Sequence, residues 1–89
     1  TSFYAAAPVC TPSRVGLLTG RNPIRAGQPN NTGPDTVGGL PLTEVLLPQV
    51  LKKRGYRTMA IGKWHLGYKP APYLPTSRGF DAYFGLPYS

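Results

Sequence analysis

Pro48-Gln49-Val50-Leu51-Lys52-Lys53-Arg54-Gly55-Tyr56-Arg57-Thr58-Met59-Ala60-Ile61-Gly62 reads as a short helix, a glycine stop and a strand. A proline inside a helix removes a donor and clashes with the preceding turn, so the helix starts near Pro48 and does not pass through it. Leu47, Val50 and Leu51 fall on one face at i, i+3 and i+4. Lys52, Lys53 and Arg54 occupy the last turn, where cations suit the helix dipole, and Gly55 closes it. Those three charges read as a solvated helix end and not as a ligand site. Tyr56 to Ile61 is short, β-compatible and flanked by glycines, which predicts a strand. Helix, glycine, strand is the αβ half of a parallel-sheet unit, and the fold class is therefore α/β. A strand of a parallel sheet expects neighbours on both sides to bury its faces. In such sheets ligands gather at the carboxyl ends of strands. Gly62-Lys63-Trp64-His65-Leu66-Gly67 falls at that end, with Lys63 and His65 projecting together between two glycines. On residue type alone Lys63 also fits a surface lysine and His65 a structural histidine. Trp64 is expected to pack.

Upstream, Pro8-Val9-Cys10-Thr11-Pro12-Ser13-Arg14-Val15-Gly16-Leu17-Leu18-Thr19-Gly20-Arg21 holds the only cysteine. Thr11 fits an N-cap and Pro12 the first helical position, predicting a helix of about two turns from Pro12 to Thr19. Cys10 then sits just before the helix start, where unpaired donors and the dipole favour negative charge, and Arg14 adds a cation. Leu17 and Leu18 supply the buried side, Gly16 weakens the helix by roughly 1 kcal/mol relative to alanine, and Gly20 stops it. Two readings of Cys10 stand: a low-pKa thiol nucleophile in an electropositive setting, or a buried cysteine beside a helix.

The remaining segments are turn-rich. Thr1 to Ala7 is apolar and aromatic and leads as strand or loop into the cysteine turn. Asn22 to Gly27 turns away. Gln28 to Gly39, rich in Asn, Gly, Pro and Thr, reads as an exposed loop in which nothing suggests chemistry, although Asn31 or Asp35 could lie near a substrate's outer groups. Leu40-Pro41-Leu42 anchors its end. Tyr68 to Pro75 is an extended proline- and tyrosine-rich stretch.

Eleven glycines and eleven prolines make up about a quarter of the 89 residues, against a usual share of about 12%. At this length only about 60–65% of the chain's surface would be buried. Residues 1–89 are therefore expected to be one part of a larger catalytic domain, with no second domain and no stable fold or activity alone. Ten basic residues against three acidic ones give a net charge of +7. The basic residues are spread along the chain without a nucleic-acid motif, which fits the positive field of a small-anion site better than a nucleic-acid partner. There is no run long and apolar enough for a membrane segment. One cysteine makes no internal disulfide.

Residues 8–20, with Cys10-Thr11-Pro12-Ser13-Arg14 followed by Leu17-Leu18-Thr19-Gly20, resemble the first signature of the type I, formylglycine-dependent sulfatases. Gly55-Tyr56-Arg57-Thr58-Met59-Ala60-Ile61-Gly62-Lys63-Trp64-His65 resembles their second. Two patterns in the family's order are far more specific than either alone. Ser77-Arg78-Gly79-Phe80-Asp81 resembles the family's Gly-Phe-Asp element, whose aromatic residues pack beneath the site. The terminal Pro87-Tyr88-Ser89 resembles a segment whose serine contacts sulfate in an arylsulfatase. The resemblance implies a partial N-terminal segment of an alkaline-phosphatase-like catalytic domain, with a mixed, largely parallel central sheet and helices on both faces.

It also implies chemistry. The family hydrolyses sulfuric esters with a formylglycine made from the signature cysteine, here Cys10, by a maturation enzyme. One hydroxyl of the aldehyde hydrate attacks sulfur and expels the alcohol; the other is then deprotonated, the aldehyde re-forms and sulfate leaves. By the same pattern Arg14 steadies the hydrate, Lys63 bridges it and a sulfate oxygen, and His65 hydrogen-bonds it and assists elimination. Ser89 is a further substrate contact. Calcium neutralises the sulfate; of its ligands only the oxygen derived from Cys10 falls in this segment. Asp35, Glu44 and Asp81 do not recreate the carboxylate cluster. Implied substrates are aryl sulfates, sulfated sugars or sulfolipids, and the implied compartments are lysosomal, periplasmic or secreted. Two other classes remain: a phosphonate or phosphate monoester hydrolase of the same superfamily, and a non-catalytic basic binding fragment.

Overall fold

A computed structural model describes residues 2 and 4–88 of the chain. Thr1, Phe3 and Ser89 lie outside the described residues, so the lead-in through Phe3 and the sulfate contact at Ser89 do too. Two helices, α1 (Cys10–Thr19) and α2 (Leu47–Lys53), accompany four short strands: β1 (Gly38–Gly39), β2 (Met59–Ile61), β3 (Gly67–Lys69) and β4 (Ala82–Phe84). Two single 3-10 turns, Ala71–Tyr73 and Pro75–Ser77, carry the proline-rich stretch.

The helix–glycine–strand unit forms as expected, but the strand is shorter than Tyr56 to Ile61. Its partner is β4, paired parallel with Met59 opposite Ala82 and Ile61 opposite Phe84. The pairing continues past both strands: the Gly62 N–H donates to the Phe84 carbonyl at 2.9 Å, Trp64 to Leu86 at 2.9 Å and His65 to Pro87 at 3.0 Å. The segment carrying Lys63 and His65 is thus laid along the backbone after β4. Among the described residues β2 has a strand on one side only. One flank is β4, and Met59 and Ile61 are 64% and 76% exposed. The sheet consists of two separate pairs, since β1 pairs antiparallel with β3.

That second pair forms because two glycines cross closely. A Cβ on Gly39 would lie 2.2 Å from the Leu66 carbonyl oxygen and 2.7 Å from the Gly67 Cα, so any side chain pushes β1 off β3. Gly39→Ala is expected to cost about 1–3 kcal/mol, as overpacking typically does. Thermal unfolding of the full-length protein checks it, and an unchanged midpoint contradicts the close approach.

Burial corrects several expectations. The core is Val15, Ala26, Leu40, Leu46, Trp64 and Leu66, with Leu18, Phe80 and Tyr83 packed against it. Leu17, expected inside, is 69% exposed, because Val15 and Leu18 carry the inward face of α1. Leu47 and Val50 are about half exposed; Leu46 and Pro48 anchor α2 instead. Pro48 does stand at the helix start, and the Leu46 N–H is capped by the Gln49 side chain at 2.7 Å. Arg78, read as one of the dispersed charges, is buried and donates to the Leu40 and Pro41 carbonyls at 2.8 and 3.0 Å. Burial lowers its pKa from a value far above neutrality, and an arginine so placed stays cationic. Lys52 pairs with Asp81 at 3.1 Å, which agrees with a surface role for the α2 end.

Candidate functional site

The cysteine helix begins two residues earlier than expected. Cys10 is the first helical residue, the N-cap is Val9 in an extended conformation, and no side chain caps from that position. Thr11 is therefore not the N-cap. Pro12 still suits its place, as the third helical residue is also among those whose N–H has no intrahelical acceptor. The missing cap is supplied from the 28–39 loop, where Asn31 Oδ1 accepts the Thr11 N–H at 2.8 Å. Asn31 thus serves the backbone at the helix start. Gly20 ends the helix in the left-handed conformation, as expected.

At this helix start the Lys63 Nζ donates to Cys10 Sγ at 3.2 Å. Cys10 is a half-buried free thiol. The Lys63 hydrogen bond holds its pKa below the ordinary thiol value, helped by the charges of Lys63 and Arg14 and opposed by desolvation. Of the two readings of Cys10, an electropositive thiol describes the geometry. Arg14 lies one helical turn further on and its guanidinium donates to the Lys63 backbone carbonyl. Arg14 thereby braces the loop that delivers Lys63. A cleft of about 510 Å³ beside α1, lined by Tyr4, Ala6, Ser13 and Leu17 among others, shares only Arg14 with this cluster.

His65, two residues beyond Lys63, lies inside the protein. It is 4% exposed, with φ at 57°, in the left-handed region where histidine is among the tolerated residues. Its Nε2 donates to the Thr32 carbonyl at 2.9 Å, and its Nδ1 is buried with no partner among the described residues. The Tyr88 ring meets it edge-on, centroids 4.9 Å apart. Among the described residues it makes no bond to the thiol. Trp64 packs as expected, edge-to-face with Phe80 at 6.0 Å and donating its indole N–H to the Tyr73 carbonyl at 3.0 Å.

No group of three or more His, Cys, Asp or Glu side chains gathers among the described residues. Glu44 is taken by Arg21 at 2.6 Å and Asp81 by Lys52 and the Thr58 backbone, while Asp35 is exposed. These residues do not fit a calcium site by themselves. Thr11, legible only as an N-cap, meets His65 together with Thr32 and Tyr88 across long stretches of chain, contacts that no local pattern marks.

The sulfatase family model matches residues 1–89. Over 87 residues the chain is 56% identical to arylsulfatase G of dog (Canis lupus familiaris), covering 98% of this chain and 16% of that protein. It is 50% identical over 91 residues to human arylsulfatase A, covering all of this chain and 18% of that protein. N-acetylgalactosamine-6-sulfatase of pig (Sus scrofa) is 49% identical over 94 residues, covering 97% and 18%. The chain thus spans less than a fifth of the length of these relatives. The crystal structure of Ps i-CgsB superposes with a TM-score of 0.87 at 40% identity, covering 92% of this chain and 18% of that one.

Proposed function

The chain belongs to the sulfatase family, and from that membership we propose that it is the part of a sulfuric ester hydrolase that carries the nucleophile. The observation that carries the reading is the Lys63 ammonium 3.2 Å from the Cys10 sulfur at the start of α1. A sulfate monoester is a stable anion, so hydrolysis needs a placed nucleophile and neutralisation of charge. Formylglycine at position 10 would supply an aldehyde hydrate as an oxygen nucleophile in place of the thiol.

The chain's own residues then have distinct tasks. Lys63 holds a negative oxygen at position 10 or on the sulfate, by the same contact it now makes to sulfur. Arg14 holds the Lys63 backbone and adds positive field, as does the N-terminus of α1. His65 offers Nδ1 as the ring nitrogen open to a proton, and Ser89 is proposed as a substrate contact. Calcium is given no step here; carboxylates beyond these residues would have to hold it.

Full-length protein made with a formylglycine-generating enzyme is expected to release sulfate from an aryl sulfate. Aryl phosphate and phosphonate are the comparison substrates. Faster turnover of either would move the assignment to a phosphoryl hydrolase, and no turnover of any ester would leave a binding protein.

A further inference from the structure

The buried contacts around Thr11 form a closed set. Thr11 is fully buried, and its hydroxyl donates to the His65 carbonyl at 2.9 Å and accepts the Thr32 N–H at 3.2 Å. The Thr32 carbonyl in turn accepts from His65 Nε2 at 2.9 Å. One hydroxyl therefore ties both the backbone of the histidine and the residue, Thr32, whose carbonyl its ring addresses. A carbonyl oxygen only accepts, so a ring proton sits on Nε2, and in the neutral form of the ring Nδ1 is the nitrogen that carries none. Nδ1 is buried and has no hydrogen-bond partner among the described residues. The left-handed His65 backbone, with φ at 57°, is held by the same Thr11 bond.

We propose that Thr11 is the positioning residue for His65: through the Thr32 carbonyl it fixes the imidazole proton on Nε2 and keeps Nδ1 as the working nitrogen. Thr11 occupies the open position between the cysteine and the proline of Cys10-Thr11-Pro12-Ser13-Arg14. A hydroxyl is needed there because the position must donate to one peptide and accept from another. Valine has the same shape and does neither, whereas serine does both. Asn31 supports the arrangement from the surface by accepting the Thr11 N–H at 2.8 Å.

The tautomer is a property of the fold; only its kinetic consequence rests on the sulfatase reading. The test uses full-length protein labelled with 15N-histidine, with His65 assigned by its loss in His65→Asn. Wild type is expected to show a protonated Nε2 and a bare, pyridine-type Nδ1. Thr11→Val is expected to show both tautomers and to lose about tenfold or more in kcat, as removal of an orienting partner typically does. Its KM stays within about twofold. Thr11→Ser restores both the tautomer and the rate. Should Thr11→Val not fold, Asn31→Ala is measured in its place and is expected to mix the tautomers partially. A wild-type proton on Nδ1, or a tautomer unchanged in the folded Thr11→Val or Asn31→Ala protein, overturns the proposal. A tautomer that responds in protein without sulfate-ester turnover upholds the positioning and sinks the sulfatase reading alone.

Discussion

Cys10→Ser in the full-length protein, made beside the oxidative maturation machinery, is expected to lose sulfate-ester turnover by a factor on the order of 10⁵, the scale seen when a nucleophile is removed. Serine is close to cysteine in size and Cys10 is only half-buried, so the fold survives the change. What serine lacks is activation. A hydroxyl nucleophile needs an adjacent base to take its proton. The group beside position 10 is the Lys63 ammonium, which has no lone pair to accept one. His65, the other candidate, makes no bond to position 10 and spends Nε2 on the Thr32 carbonyl. An unmodified serine would then be both a weak nucleophile and, once sulfated, a dead end. Steady-state assay beside peptide mass analysis checks this. Wild-type rates from unmodified serine contradict it, whereas activity after serine-type anaerobic maturation does not.

Lys63→Ala is expected to lower kcat by about 10²–10³, the usual consequence of deleting one charged donor aimed at a developing anion. The variant should fold, because what Arg14 grips is the Lys63 backbone carbonyl, which alanine keeps. An independent readout exists in protein that has not been matured. The Lys63 ammonium stabilises the Cys10 thiolate and so holds the pKa of the thiol down. Removing it disfavours the charged form, so the pKa rises and alkylation at neutral pH slows, with its midpoint moving to higher pH. An unchanged alkylation profile says that the contact is not made. Full turnover in the folded variant says that the contact is not used.

Sequence and structure agree where the chemistry is local. Pro48 at a helix start, Gly20 at a helix end and a strand running into Gly62 follow from rules that act within one turn of chain. Trp64 was legible as a packing residue for a similar reason, being large and flanked by a strand. The failures involve distance. Thr11 satisfies every local criterion for an N-cap, yet a peptide 54 residues away takes its hydroxyl, and Asn31 from 20 residues away does the capping. The β1–β3 pair rests on two glycines whose only qualification is their lack of side chains, a signal invisible without the partner strand. Arg78 counted only as one of the spread charges, because nothing near it in sequence announces the Leu40 and Pro41 carbonyls. The Cys10–Lys63 contact spans 53 residues. Residue types alone left both partners with ordinary explanations, and the paired signatures singled them out.

Formylglycine at position 10 is the claim on which the proposed chemistry turns. Its most direct measurement is the mass of the peptide containing Cys10-Thr11-Pro12-Ser13-Arg14, taken from full-length protein whose sulfate-ester turnover has been recorded. Conversion of the side chain from thiol to aldehyde removes one sulfur and two hydrogens and adds one oxygen. The expected result is that mass, in a fraction of molecules that rises in step with specific activity. Fully active protein in which every copy of the peptide keeps an intact thiol would contradict it.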